Sequence, residues 1–198
     1  MKQFLHVGCG PQYQDSTSAV FRKDDWKEVR LDIDEAVKPD IIGSMQNMHM
    51  INDGEFDGLY SSHNIEHLYP HEIEDTLREF HRVLTPEAEL LIICPDLMVI
   101  AKEIVEGRFI KALYESPAGP IAPIDMLFGH RSSIQAGNVH MAHRCAFTKE
   151  LIAGLLRNCG FLSVISVSGN NNVYALALKP DNQNDLATKK LNAHLGDS

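Results

Sequence analysis

Glu89-Leu90-Leu91-Ile92-Ile93-Cys94 reads as a strand, unbroken and apolar after its leading acid and closed by Pro95-Asp96. A strand that is apolar at every position has no face to show to water. It must lie inside a sheet covered on both sides, which is the setting of a largely parallel α/β sheet. Residues 4–7, 29–33, 40–44 and 56–62 read as four strands preceding it. Residues 70–84 read as a helix, because Ile73, Leu77, Phe80 and Leu84 recur on one face of a 3.6-residue period. Pro70 and the acids Glu72, Glu74 and Asp75 suit its first turn, and Pro86 stops it.

The C-terminal part extends the sheet. Residues 148–158 read as a helix capped by Thr148, with Leu151, Leu155 and Leu156 facing inward. Residues 161–168 and 173–178 read as strands, and Gly169-Asn170-Asn171-Asn172 between them as a hairpin turn, so the last two strands run antiparallel. Residues 97–147 are rich in Gly, Pro and His and interrupt the alternation as an insertion or lid after strand five. The layout expected is one domain over residues 1–180, followed by a loose polar tail over 181–198.

Lys and Arg number 18 against 27 Asp and Glu, a formal charge of −9. A chain that must replace counterions on phosphate needs the opposite balance, so no nucleic-acid partner is expected. The four cysteines Cys9, Cys94, Cys145 and Cys159 form no C-x-x-C pair and read as buried thiols in a reducing compartment. No apolar run reaches membrane length, and the apolar stretch near Met1 is too short for a signal peptide. A cytoplasmic protein with no membrane partner is expected. Nothing in the sequence sets an oligomeric state.

The unusual residues gather at strand ends. Gly8-Cys9-Gly10 follows the first strand, Asp32 ends the second, Ser44-Met45 follows the third, Ser61-Ser62-His63 the fourth and Pro95-Asp96 the fifth. Open parallel sheets bind ligands outside the carboxyl ends of their strands. A glycine loop with an acid at the end of the next strand suits an adenosine ligand: glycines allow close approach, and a carboxylate accepts both ribose hydroxyls. A dinucleotide fingerprint is weaker, since Tyr13 stands where G-x-G-x-x-G needs its third glycine.

Leu5-His6-Val7-Gly8-Cys9-Gly10, Leu31-Asp32-Ile33-Asp34, the run from Phe56 to Leu68, and Arg82-Val83-Leu84-Thr85-Pro86 resemble successive motifs of the class I S-adenosylmethionine-dependent methyltransferases, in particular the type 11-like group. His143-Arg144-Cys145-Ala146-Phe147-Thr148 and the segment ending Cys159-Gly160-Phe161 resemble later segments of that group. The resemblance implies an α/β, Rossmann-like open sheet, mostly parallel with a C-terminal antiparallel strand, carrying a helical or loop insertion after strand five. It implies S-adenosyl-L-methionine as cofactor, held by His6, Gly8, Cys9, Gly10, Asp32, Ile33, Ser44, Met45, Ser62 and His63. It implies methyl transfer to a small or medium acceptor, either a small molecule or a protein. Four positions depart from the pattern. His6 stands where the group has an acid, Glu87-Ala88 replaces Gly-Gly, Ser44 stands where an Asp often meets adenine, and Asp34 competes with Asp32 for the ribose. A cofactor-binding protein without turnover is the alternative that these departures motivate.

Histidine is in excess, with ten residues. His67 and His63, next to the donor end of the expected cofactor site, are the candidate bases. His130, Arg131, His140 and His143 in the insertion are the candidate acceptor contacts. His63-Asn64-Ile65-Glu66-His67 also matches H-x-x-E-H, which would suit a zinc-dependent hydrolase if the segment were one long helix; Pro70 argues against that. The expectation is therefore no metal, with Glu66, His67 and His143 as the alternative ligand set. His49, His81 and His194 are assigned no functional role.

Overall fold

The computed structural model describes residues 1–116 and 118–196. Strands β1 (Lys2–Val7), β2 (Trp26–Asp32), β3 (Ile41–Ile42), β4 (Phe56–Ser62) and β5 (Leu84–Pro95) come first, with α1 (Ile73–Val83) between β4 and β5. Helix α2 (Leu97–Val105), the hairpin β6 (Tyr114–Ser116) and β7 (Gly119–Ile121), and the short helices α3 (Pro123–Phe128) and α4 (Arg131–Gln135) build the insertion. Helix α5 (Lys149–Asn158), β8 (Ser163–Gly169), β9 (Asn172–Leu178) and α6 (Asn184–Leu195) complete the order.

Seven strands form one sheet in the order β3-β2-β1-β4-β5-β9-β8. Strands β1 to β5 pair in parallel, and β9 runs antiparallel to both β5 and β8. The apolar run of β5 sits between β4 and β9, as its lack of a polar face requires. Alternation along the strands feeds two cores. Leu5, Val7, Leu59, Leu90 and Ile92 pack with α1 and α5 residues on one face. Phe4, Tyr60, Leu91 and Leu176 pack with Phe21, Trp26 and the α6 residues Ala187 and Leu191 on the other.

The α1 stripe is inward as expected, with Ile73, Leu77 and Phe80 buried and Leu84 already in β5. Thr148 Oγ1 caps α5 by accepting from Leu151 N at 3.2 Å. Leu151 itself is exposed, contrary to the reading of α5; Ile152, Ala153 and Leu156 carry its inner face. The β8–β9 turn has Asn170 and Asn171 at φ 48° and 65°, the paired left-handed residues of a hairpin turn. Residues 184–195 are a helix where a loose tail was expected. Helix α6 covers the second sheet face and buries Ala187, Leu191 and His194. Its apolar positions are too few to stand out among polar neighbours, and its docking rests also on Lys190 reaching Glu89 at 2.6 Å.

Candidate active site

The glycine loop after β1 turns because Gly8 and Gly10 adopt φ of 60° and 52°. Gly8 has a second constraint: a Cβ there would lie 2.1 Å from Asn64 Oδ1. Asn64 fills that space and donates to Val7 O at 2.8 Å and Ser62 O at 3.0 Å, tying the end of β1 to the end of β4. Over Gly10 a Cβ would meet nothing within 4 Å, so this backbone faces open space.

Asp32 stands at the end of β2 against this loop. One carboxylate oxygen accepts from Gly10 N at 2.7 Å and the other from Asp34 N at 2.9 Å. Oδ1 keeps a further lone pair for a ligand hydroxyl, while Oδ2 also takes a long contact from Cys9 Sγ at 4.0 Å. Next to it, Ile33 is 55% exposed, an apolar side chain left bare at the mouth of the sheet. Asp34 is exposed and caps its own turn with one oxygen, accepting from Ala36 N at 2.9 Å, which leaves the other oxygen to solvent. Ser44 and Met45 lie half-buried after β3, with Ser44 Oγ donating to Gln46. Cys9 is buried, and burial pushes its thiol up to about 11, so it is no nucleophile at neutral pH.

His6 is not brought to the loop surface. It is 4% exposed on the Tyr60 face of the sheet, with Nδ1 2.6 Å from Glu28 Oε1. Glu28 in turn accepts from Gln14 N at 2.9 Å, so this pair braces the segment after the glycine loop.

Arg30 is a residue that sequence reasoning missed. It is 4% exposed in β2 and makes no carboxylate pair through its guanidinium. The guanidinium instead donates to Gly10 O, Gln12 O, Val37 O and Lys38 O at 2.7–3.2 Å, under the Tyr13 ring. It fastens the loops after β1 and β2 to each other. A lone arginine inside a strand whose neighbours are apolar was the available signal.

The second half of the site lies beyond β4. His63 takes φ 56°, and residues Ile65–His67 form one turn of 3-10 helix, so His63 and His67 do not share an α-helical face. The inverted zinc-protease geometry is therefore absent. The returning end of the insertion clamps onto this turn: Arg144 N donates to Glu66 O at 2.8 Å and His67 Nδ1 donates to Ala142 O at 3.1 Å. Gly129 makes the approach possible, since a Cβ there would lie 1.9 Å from Met141 O.

A cavity of about 280 Å³ results, lined by His63, His67, His130, Ser133 and His143 together with Tyr114, Asp125 and Met126. His67 and His143 stack edge-on with ring centroids 4.9 Å apart. Glu66 is 1% exposed beneath them, with neither carboxylate oxygen in a hydrogen bond. Burial pushes the Glu66 carboxyl up, but His63, His67 and His143 outweigh it and hold the group below the usual range. Burial pushes His143 down, favouring its neutral form.

Two insertion residues depart from expectation. Arg131 does not line the cavity; its guanidinium grips Asp125 at 2.6 and 3.0 Å. His140 is exposed on the turn Val139–Met141, and Met141 lines the cavity in its place. A larger cavity of about 480 Å³ opens on the other sheet face beside α6. Its one histidine, His194, bonds Ser18 at 2.7 Å through Nδ1 and faces Glu89 with Nε2 at 3.7 Å.

A family model described as a methyltransferase domain matches residues 5–92. The chain has the fold of the class I methyltransferases, and the family model matches its first strands through β5. Among solved structures of this fold, the Burkholderia thailandensis 1,6-didemethyltoxoflavin-N1-methyltransferase, solved with 1,6-didemethyltoxoflavin and S-adenosylhomocysteine, is 16% identical. That match covers 91% of this chain and 72% of that one at a TM-score of 0.56. A SAM-dependent methyltransferase from Archaeoglobus fulgidus is 13% identical over 89% of this chain and 85% of that one, at 0.58. One from Methanosarcina mazei is 16% identical over 91% and 93%, at 0.56. No curated protein sequence matches the chain. In this fold, the glycine loop and Asp32 occupy the ends of β1 and β2, and the histidine cavity lies beyond the ends of β4 and β5. Among the described residues, no helix is long and apolar enough to cross a membrane.

Proposed function

We propose that the chain transfers the methyl group of S-adenosyl-L-methionine to a small or medium acceptor seated between His63, His67 and the insertion. One observation carries this reading: the insertion folds back onto the β4 end and places His130 and His143 in one cavity with His63 and His67. The residues present fit the cofactor. Open backbone at Gly10, a carboxylate with a spare lone pair at Asp32 and a bare apolar Ile33 are what an adenosine needs. Gly8, Cys9, Gly10, Asp32 and Ile33 would hold it, with Ser44, Met45, Ser62 and His63 around it. The cofactor supplies an electrophilic methyl on a sulfonium.

The chain's own work is placement and proton handling. The cavity holds the acceptor in line with the donor and excludes water. His67 donates Nδ1–H to Ala142 O, which leaves Nε2 as an unprotonated nitrogen able to take the acceptor's proton. As the acceptor atom bonds to the methyl carbon, the C–S bond breaks and its electron pair stays on sulfur, giving a neutral thioether. The negative net charge favours a small molecule or a protein over nucleic acid as acceptor, and four free thiols suit the cytoplasm.

The test is transfer of label from methyl-labelled S-adenosylmethionine into a filtered small-molecule fraction or a protein fraction. Labelled acceptor that disappears in His67→Asn supports the reading. Cofactor binding with no transfer to any acceptor favours a binding protein without turnover.

A further inference from the structure

We propose that Glu66, His67 and His143 form a binding site for one divalent transition-metal cation in the wall of the acceptor cavity. The place of this cation beside an acceptor rests on the methyl-transfer reading; the site itself stands on the following geometry. One ligand atom from each of the three residues lies within 4.8 Å of the others. Both oxygens of Glu66 are buried without a hydrogen-bond partner. Buried carboxylates are almost always paired, so this one calls for a positive partner. The nearest candidate, His63 Nδ1, is 3.5 Å from Glu66 Oε1, in a half-exposed ring that makes no hydrogen bond to it.

The two imidazoles are set up as ligands. His67 Nδ1 meets Ala142 O at 3.1 Å and His143 Nδ1 meets Met126 O at 2.8 Å. A carbonyl only accepts, so each Nδ1 carries the proton and each Nε2 keeps its lone pair. Metal-bound histidines are oriented in this way, by giving the other ring N–H to a backbone carbonyl. Two imidazoles and a carboxylate select zinc or a neighbouring transition metal over magnesium or calcium, which prefer all-oxygen sites. With the cation bound, His67 Nε2 is a ligand and the acceptor's proton passes to His63 instead; three protein ligands leave coordination positions for water or an acceptor oxygen. The insertion brings the third ligand: Arg144 N, adjacent to His143, is bonded to Glu66 O at 2.8 Å.

The experiment is titration of chelator-treated, tag-free full chain with Co²⁺, followed by visible absorption, and with Zn²⁺, followed by calorimetry. The expected result is one equivalent of Co²⁺ bound and displaced by Zn²⁺. Affinity should fall at least tenfold in His143→Gln and in Glu66→Gln, and hold in His71→Gln, whose exposed ring stacks on Tyr69. His143→Gln carries the test if Glu66→Gln fails to fold, as judged by circular dichroism. Folded wild type with no saturable binding of either ion overturns the site. Binding that survives both substitutions also overturns it. S-adenosylhomocysteine titrated in parallel separates the readings. Its binding without metal uptake refutes the cation site alone; metal uptake without it refutes methyl transfer and keeps the site.

Discussion

Asn64 Oδ1 occupies the space that a Cβ on Gly8 would need, 2.1 Å from its ideal position. This packing joins the loop expected to hold the cofactor to the turn that carries His63 and His67. It makes two halves of the site depend on one glycine.

Gly8→Ala should therefore lower stability by about 1–3 kcal/mol, because it combines a left-handed φ with a clash. It should also weaken cofactor binding. Adding Asn64→Ala should return part of the stability by removing the clash, but none of the φ strain. Thermal melts of the two single variants and the double variant check this. Equal melting of Gly8→Ala and wild type contradicts it.

Asp32→Ala should weaken S-adenosylmethionine binding by about tenfold or more, the scale of hydrogen bonds to a charged group. The variant loses any ribose contact and also the acceptor for Gly10 N and Asp34 N. Unchanged affinity moves the ribose role to Asp34. Calorimetry of both single variants decides between them.

Arg30→Met keeps the apolar stem and removes the guanidinium. Gly10 O, Gln12 O, Val37 O and Lys38 O would lose their donor. These bonds are part-buried and their carbonyls can be rehydrated, so a loss of about 1–2 kcal/mol is expected in a denaturant melt. Amide exchange should rise in both loops together, since one side chain ties them. A change confined to one loop would contradict the linkage.

The docking of α6 should be acid-sensitive. Glu89 is 3% exposed, and burial pushes its carboxyl up, but His194 and Lys190 outweigh burial and set it below the usual range. A carboxyl depressed in the folded state stabilises it above the unfolded value, about 4.3. That stability is lost as pH falls from there through the folded value. Exchange protection of residues 184–195 should therefore drop below about pH 4, before that of β4 and β5. Lys190→Met should move the loss to higher pH. Protection of α6 that persists until the whole sheet melts would refute this.

Much of the fold could be read because local pattern and tertiary role coincide. The apolar run of β5, the α1 stripe and the Asn-rich hairpin turn each say one thing, and the structure has each in place. The strand-end logic likewise led to the glycine loop, Asp32, His63 and His67. What was missed depends on partners far away in the chain. Arg30 is defined by carbonyls on two loops, Asn64 by the space above Gly8, and α6 by Glu89 in β5. Within the insertion, sequence could propose four polar contacts but not sort them. Asp125 takes Arg131, and solvent takes His140; His130 and His143 remain in the cavity.

The central claim is that this fold binds the methyl donor at the ends of β1 and β2. Calorimetric titration of the folded chain with S-adenosylmethionine and with S-adenosylhomocysteine tests it most directly. Saturable binding of one equivalent of either, weakened in Asp32→Ala, is the predicted result. No heat of binding up to millimolar ligand, from a chain shown to be folded, would contradict it.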